Sequence, residues 1–207
     1  MANQSGSVYG LTILSPIKDD PNSEVSPNLA LRIYLAKLPR HRGSPFAKVS
    51  STHFARLVVM DDVVYVGMPA CEEHLQSKYL VFESNFDGDL DTYLERMAAE
   101  IPETVDAVWK HCVGFPGAAD VAAFKAYMKK CQIETTFFFA DVNDKTVQQT
   151  LRALQTQSAV TAFIVKHQGT PPSELQAAFA HFMEKLNKAP APAPAATLGK
   201  EFVDELP

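Results

Sequence analysis

The chain has 207 residues, of which 46% are hydrophobic and 21% charged, values typical of a globular protein with one sizeable core. Its formal net charge of -5 argues against a nucleic-acid partner, because phosphate binding requires clustered lysine and arginine. Three cysteines, Cys71, Cys112 and Cys131, are too few and too scattered for a disulfide framework or a zinc site. No apolar run is long enough for a transmembrane helix and the N-terminus lacks a signal-peptide pattern, so we expect a cytoplasmic protein.

The first half of the chain predicts a strand, a helix and a hairpin. Residues 1–7 are polar, and we expect them to be disordered. Residues 9–17 are rich in β-forming side chains and predict a first strand, whereas apolar residues at helical spacing over 29–38 predict a first helix. Two strand-like runs follow at about 52–60 and 78–86, and a wide connection joins them.

A helix with a clear start signal follows the hairpin. Asp89 is a natural N-cap, and Asp91 adds negative charge to the first turn, where the helix dipole favours it. Apolar residues then recur every three or four positions as far as Cys112, which is the strongest helical pattern in the chain. Because Pro102 interrupts this pattern, we expect a kink or two abutting helices. A further short helix is predicted around 121–128.

Residues 135–140 read Thr-Thr-Phe-Phe-Phe-Ala, a β-branched and aromatic run that predicts a fourth strand. The predicted order is then β-α-β-β-α-(α)-β. This order is that of the ferredoxin-like α+β arrangement, in which a four-stranded antiparallel sheet carries its helices on one face. We therefore assign residues 8–142 to a ferredoxin-like domain.

The C-terminal part is expected to be helical and then extended. Additional helices over 143–188 should pack on the domain, and Asn143 or Asp144 can cap the first of them. Residues 189–196 form an Ala/Pro linker. Residues 197–207 carry an amphipathic pattern that suits docking of a short peptide on a protein partner, and a terminus without a role is the alternative.

Three short segments form a set: His-Phe-Ala-Arg at 53–56, Ser-Asn-Phe-Asp-Gly at 84–88, and Trp-Lys-His-Cys at 109–112 before Gly-Phe-Pro at 114–116. Together they resemble a group of uncharacterised bacterial proteins of the ferredoxin-like, dimeric α+β-barrel superfamily. The resemblance covers roughly residues 8–165 and implies the fold and a homodimer that forms through the sheet. It implies no single function, since this superfold hosts monooxygenases, haem peroxidases, decarboxylases and non-enzymatic members.

The hairpin carries the best candidate site. A register that places residue 60 opposite residue 79 also places Arg56 beside Glu83, on a face that is otherwise largely apolar. His53 alternates to the other face in this register. Because a buried charge must be paired, we interpret Arg56 and Glu83 either as a structural ion pair at a dimer or domain interface or as a polar cluster in a ligand cavity.

Two functions are compatible with these patterns. In the first, the chain is a small-molecule-binding protein or enzyme of the α+β-barrel type, with oxidoreductase-like chemistry as one option and a cavity between the sheet and a partner subunit. Arg56 would orient an anionic or carbonyl group, and Glu83 or Asp87 would move a proton. The candidate catalytic residues are Arg56, Glu83 and Asp87, and the candidate ligand-binding residues are Phe54, Asn85 and His111. In the second, the chain is a non-catalytic assembly protein that uses the sheet face for self-association and 197–207 for docking.

Residues 84–88 also resemble, at one motif, the dye-decolorising peroxidases, whose Gly-x-x-Asp-Gly motif holds the distal acid over haem. The resemblance implies Asp87 as that acid and His111 as the nearest candidate haem ligand, although Ser84 replaces the first glycine. The cofactor is left unassigned, with haem as one candidate. The carboxylates of 85–91 lack the glycine and the final acid of a calcium loop, so helix capping explains them better and we expect no metal site.

Overall fold

The structure, a computed structural model, describes residues 3–40, 43–64, 67–68 and 74–190. Within these ranges the fold is α+β, with a four-stranded antiparallel sheet and six α-helices, as the sequence predicted at the level of class. The elements in chain order are β1 (Gln4–Ser5), β2 (Val8–Pro16), α1 (Pro27–Lys37), a 3-10 turn (Pro45–Ala47), β3 (Thr52–Met60), β4 (Tyr79–Asp87), α2 (Leu90–Glu100), α3 (Pro102–Trp109), α4 (Val121–Lys130), α5 (Val147–Lys166) and α6 (Pro172–Lys188).

The sheet has the strand order β1-β2-β4-β3, and each neighbouring pair is antiparallel. The predicted hairpin register is confirmed, because Arg56 pairs with Glu83 and Met60 pairs with Tyr79. One irregularity was not predicted: a bulge between Thr52 and Phe54 adds an extra residue, His53, to β3. A bulge of this kind turns the extra side chain away from the direction that the regular alternation of a strand would give it.

The prediction of a fourth strand at 135–140 is wrong, because those residues form no strand. The free edge of β2 is occupied instead by β1, which lies in the segment expected to be disordered, and by isolated bridges from Gln132 to Ile13 and from Cys112 to Ile17. Strand propensity mainly reflects packing on a half-buried pleated surface, so an aromatic run forms a strand only where an edge is open to it. The observed strand order therefore supports the α+β class and leaves the ferredoxin-like topology unestablished.

The core lies between the sheet and helices α1 to α4. Leu80, Phe82, Ser84 and Phe86 of β4 are fully buried on this side of the sheet, whereas the residues that alternate with them are only half-buried. Phe82 packs edge-on against Trp109, with ring centroids 5.3 Å apart, and Phe86 stacks on Tyr93 at 3.7 Å. Aromatic side chains bury a large apolar area and prefer such geometries, so β4 is the centre of the core.

The helix signals after the hairpin are confirmed. The side chain of Asp89 accepts a hydrogen bond of 2.9 Å from the backbone N–H of Thr92, which is an N-cap. The long apolar pattern divides into α2 and α3 because Pro102 begins the second helix, where a proline needs no intrahelical donor. The short helix expected around 121–128 is α4.

The start of α5 differs from the prediction. Its cap is Thr146, in a capping box with Gln149, and neither Asn143 nor Asp144 caps this helix. The backbone carbonyl of Asn143 instead accepts a hydrogen bond of 2.9 Å from the N–H of Ser7, so it ties the chain to the start of β2. Helices α5 and α6 form a second, small apolar cluster that is distinct from the main core; its buried members are Ala159, Phe163, Phe182 and Leu186.

Residues 135–143 run beside residues 3–7 without forming a strand. The ring of Phe138 lies over Gly10, where an added Cβ would come within 2.7 Å of the ring. Gly10 pairs with Asn85, so Phe138 covers the sheet face that lies opposite the helices. Gly10 is therefore required by a close approach of an aromatic side chain to the backbone of a strand.

This contact predicts that Gly10→Ala lowers the stability of the protein. Gly→Ala in a strand normally stabilises a protein, but Gly10→Ala should destabilise it by about 1–3 kcal/mol because the methyl group displaces Phe138. Denaturant unfolding measures the change. The control is the same substitution in a Phe138→Ala background, where the methyl group has room and the loss should vanish. Stabilisation by Gly10→Ala in both backgrounds would contradict the contact.

Candidate functional site

Arg56 and Glu83 form an ion pair between neighbouring strands, as the register predicted. The guanidinium Nη2 of Arg56 contacts the carboxylate Oε2 of Glu83, and the two side chains are 58% and 31% exposed. The guanidinium carbon of Arg56 also lies 6.0 Å from the centroid of the Phe54 ring, a cation–π distance. An ion pair this exposed contributes only about 0–1 kcal/mol to stability, so packing of the fold does not depend on it.

The pair lies on a surface that we call the open face, meaning the side of the sheet opposite α1 to α4. Its side chains alternate with the buried ones along three strands: Thr12, Leu14, Phe54, Arg56, Val58, Met60, Tyr79, Val81, Glu83 and Asn85. Phe54 and Val58 are 45% and 43% exposed. A contiguous apolar patch on a soluble domain marks an interaction surface more often than a random exposed residue does.

Asp87 is occupied by other partners. Its Oδ1 lies 2.7 Å from Nε2 of His53, and its Oδ2 accepts a hydrogen bond of 2.7 Å from the backbone N–H of Val147, the first residue of α5. A carboxylate at a helix N-terminus is favoured by the helix dipole. These contacts give Asp87 a structural role, because it joins β3, β4 and α5 at one point.

Sequence reasoning missed the part of His53 in this arrangement. Strict alternation along β3 placed His53 away from Arg56 without a partner, whereas the bulge turns its side chain toward Asp87. A bulge leaves no mark in a pattern of alternating apolar residues, so the contact between His53 and Asp87 was not visible in the sequence.

His111 lies apart from the open face, in the turn that follows α3. Its backbone carbonyl accepts a hydrogen bond of 2.9 Å from the N–H of Lys18. Burial lowers the pKa of the His111 side chain, and the positive charges of Lys110 and Lys18 lower it further. The imidazole is therefore neutral near pH 7.

The implied haem ligands do not fit one haem group. Asp87 pairs with Val8 at one end of β2, whereas Cys112, the neighbour of His111, bridges to Ile17 beyond the other end. Nine residues of extended chain separate these positions, which is about 30 Å. A distal acid and an axial ligand must reach the same iron from its two sides, so Asp87 and His111 cannot serve one haem.

The remaining candidate groups are explained by structure. Cys112 is fully buried, and burial raises the pKa of its thiol to about 12, so the thiol stays protonated and packs as a core residue. The hydrogen bond from Lys129 to Asp91, followed by that from Lys125, lowers the pKa of the Asp91 carboxyl.

Within the described ranges no group of three or more His, Cys, Asp or Glu side chains is arranged to hold a metal ion. No helix there is long and apolar enough to cross a membrane.

A cavity of about 720 Å³ lies between α5 and α6 and was not predicted from the sequence. We call it the α5–α6 groove; its lining residues are Val160, Phe163, Ile164, His167, Gln168, Gly169, Pro172, Leu175, Gln176, Phe179 and Phe182. Phe179 is 50% exposed although it contacts Phe163 and Phe182. The groove includes none of the predicted site residues. The available signal was the apolar stripe on each helix, which is wider than a two-helix contact needs.

The contacts of Asp87 generate a second prediction. Asp87→Asn removes the charge from the N-terminus of α5 and should cost about 1 kcal/mol, with faster amide exchange in the first turn of α5. Hydrogen exchange with mass spectrometry measures this change. Asp141→Asn removes the same charge from an exposed position and should leave that exchange unaltered. Equal exchange in wild type and Asp87→Asn would show that Asp87 does not anchor the helix.

Comparisons with known proteins do not indicate a function for this chain. No family model matches the sequence, and the searches of curated proteins and of solved structures gave no match either.

Proposed function

We propose that this protein is a non-catalytic self-association module, in which the open face of the sheet binds a second copy of the chain. The observation that carries the proposal is the combination of exposed Phe54 and Val58 with a surface-lying Arg56–Glu83 pair on one face of the sheet. A two-fold contact places the same patch against itself. Arg56 of one copy then approaches Glu83 of the other, and the apolar residues around them are removed from water.

Association through the face is favoured over pairing of strand edges. β3 is an edge strand, and an uncovered edge would offer its backbone groups to another strand. Arg32 of α1 donates a hydrogen bond of 3.2 Å to the carbonyl of Val59 and also pairs with Asp61. A charged side chain across a strand edge discourages further strand pairing.

The three strands supply about half of the area that each partner of a stable dimer buries. Three strands span about 14 Å by 30 Å, whereas a stable interface buries about 800 Å² on each partner. The additional area is available at Phe137 and Phe139, which are 82% and 67% exposed. They flank Phe138, which lies on the same side of the sheet above Gly10. Aromatic side chains of this kind are the residue types enriched at interface centres.

The finer fold assignment is part of this proposal. We infer a ferredoxin-like relative in which β2, β4 and β3 keep the expected relative order and α1 and α2 provide the crossovers. The support is the agreement between the predicted and observed hairpin register. In this interpretation the place of the usual last strand is taken by β1 and by single bridges along β2.

A small-molecule function is the second candidate, and it rests on the same face. Arg56 and Glu83 are paired with each other on the open face, and Asn85 is the next residue of β4 on that face. A partner surface that closed over them would place a guanidinium and a carboxylate on the floor of a cavity. Arg56 would then orient an anionic or carbonyl group, and Glu83 would move a proton.

A substitution at the centre of the open face tests self-association. Val58→Glu should weaken dimerisation about thirtyfold or more, because a central contact contributes about 2 kcal/mol and a buried unpaired charge opposes binding. Sedimentation velocity over a wide concentration range measures the change. Val121→Glu is the matched control, since Val121 is exposed at the start of α4 on the helix side of the molecule. A wild-type protein that stays monomeric throughout would contradict the proposal.

The ion pair separates the two candidate functions. Arg56→Glu places two acids together and should weaken the dimer, and the added change Glu83→Arg should restore it in a self-complementary contact. Arg56→Met tests the second candidate. If it abolishes binding of a small anionic ligand in thermal-shift experiments while the dimer persists in sedimentation, a ligand site on the open face is the better account.

A further inference from the structure

The α5–α6 groove is an apolar surface that the two helices do not fill by themselves. Residues of α5 line it at a helical spacing of three and four, from Val160 to His167, and residues of α6 do the same from Leu175 to Phe182. Two parallel stripes with a concave space between them are the geometry in which a short amphipathic segment binds. Phe179 in the middle is half exposed, so its burial would contribute to such binding.

The described part of the chain ends at the opposite end of the α5–α6 hairpin from this groove. Arg152 of α5 donates hydrogen bonds to the carbonyls of Leu186 at 2.8 Å and of Pro190 at 3.2 Å, and a third to the side chain of Gln155, which is buried. These bonds hold the end of α6 and the following two residues against α5. The chain therefore continues from a defined point on the hairpin.

The length of the chain beyond that point matches the distance to the groove. From Arg152 to Ile164 the helix rises over twelve residues, which is about 18 Å. Residues 191–196 read Ala-Pro-Ala-Pro-Ala-Ala. An Ala/Pro segment of six residues reaches about 19 Å at 3.1 Å per residue. The next apolar residue, Leu198, can thus arrive at the level of Ile164 without strain.

The chemistry of residues 197–206 also matches. Leu198, Phe202 and Leu206 recur every four residues, so a helix would place them along one side. One lysine against three acids gives residues 191–207 a net charge of about -2, whereas four cations against two acids give 147–188 about +2. Opposite charges favour approach of the two segments, and the apolar stripe matches the groove.

We propose that residues 197–206 dock into the α5–α6 groove of the same molecule. The segment supplies the third apolar stripe that α5 and α6 lack, and Phe202 packs against Phe179. This proposal is independent of self-association through the open face, because it uses neither β3 nor β4. It replaces an external protein partner, which residues 197–207 were expected to bind, with an internal one.

Hydrogen exchange on the full chain tests the proposal. The amides of 198–206 should exchange at least about tenfold more slowly in the protein than in a synthetic peptide of residues 197–207. Phe202→Lys should abolish the slowing, and it cannot unfold the body because it alters no residue of the described fold. Thr197→Lys is the control in the same segment and should retain the slowing. Exchange at the rate of the free peptide in the wild-type protein would overturn the proposal.

A substitution in the groove provides the reciprocal measurement. Phe179→Lys should accelerate exchange of 198–206 by the same factor as Phe202→Lys. Val165→Lys is the matched control, because Val165 is 68% exposed on α5 and does not line the groove. If Phe179→Lys and Val165→Lys leave the segment equally protected, the segment binds elsewhere and the groove is not its site.

Cross-linking distinguishes docking within one molecule from docking on a second copy. A photoreactive benzoylphenylalanine at position 202 should cross-link to residues between 160 and 182. In an equal mixture of ¹⁵N-labelled and unlabelled chains, the cross-linked peptides should contain two labelled or two unlabelled partners. Mixed pairs would overturn docking in the same molecule and indicate exchange of the segment between copies. Cross-links to the open face would overturn the groove as the site.

Discussion

The alternation of buried and half-buried side chains along β4 is the constraint on which the rest of the structure depends. β4 has a neighbour on each side, and its aromatic residues Phe82 and Phe86 lie against Trp109 and Tyr93 with no exposure to solvent. Because side chains of a strand alternate, this packing obliges Val81, Glu83 and Asn85 to point the other way. The open face is therefore a consequence of the core, and a slip of one residue would bury Glu83 among aromatic rings.

The part of the site that follows from this alternation could be predicted from the sequence. Arg56 and Glu83 were placed opposite each other by a register in which residue 60 opposes residue 79, and the structure has that register. Local helix signals such as Asp89 were equally readable, since a cap is made within three residues. Residues 135–140 were misassigned because their fate depends on the occupied edge of β2, which lies far away in the sequence.

Contacts between distant segments account for the other differences. The bulge at His53 and the start of α5 meet at Asp87, since His53 contacts the carboxylate oxygen that Val147 leaves free. Neither contact has a local sequence pattern. Asp87 was predicted as a candidate acid from its motif. In the structure one of its carboxylate oxygens contacts His53 of β3 and the other contacts Val147 of α5, and these two elements meet only in the folded chain. A carboxylate that is satisfied on both oxygens is less available for proton transfer than Glu83 on the open face.

The two apolar surfaces differ in shape, and shape decides what each can bind. The open face is a twisted sheet surface with paired charges near its middle, so it accepts another broad surface, and its own copy has the matching charges. The groove is concave, with aromatic walls and only His167 and two glutamines as polar side chains, so it does not match a broad surface. A short segment matches this shape, and a segment that continues from Pro190, whose carbonyl Arg152 holds, would bind at a high effective concentration. Filling the groove internally would leave the open face as the surface through which the molecule meets its partner.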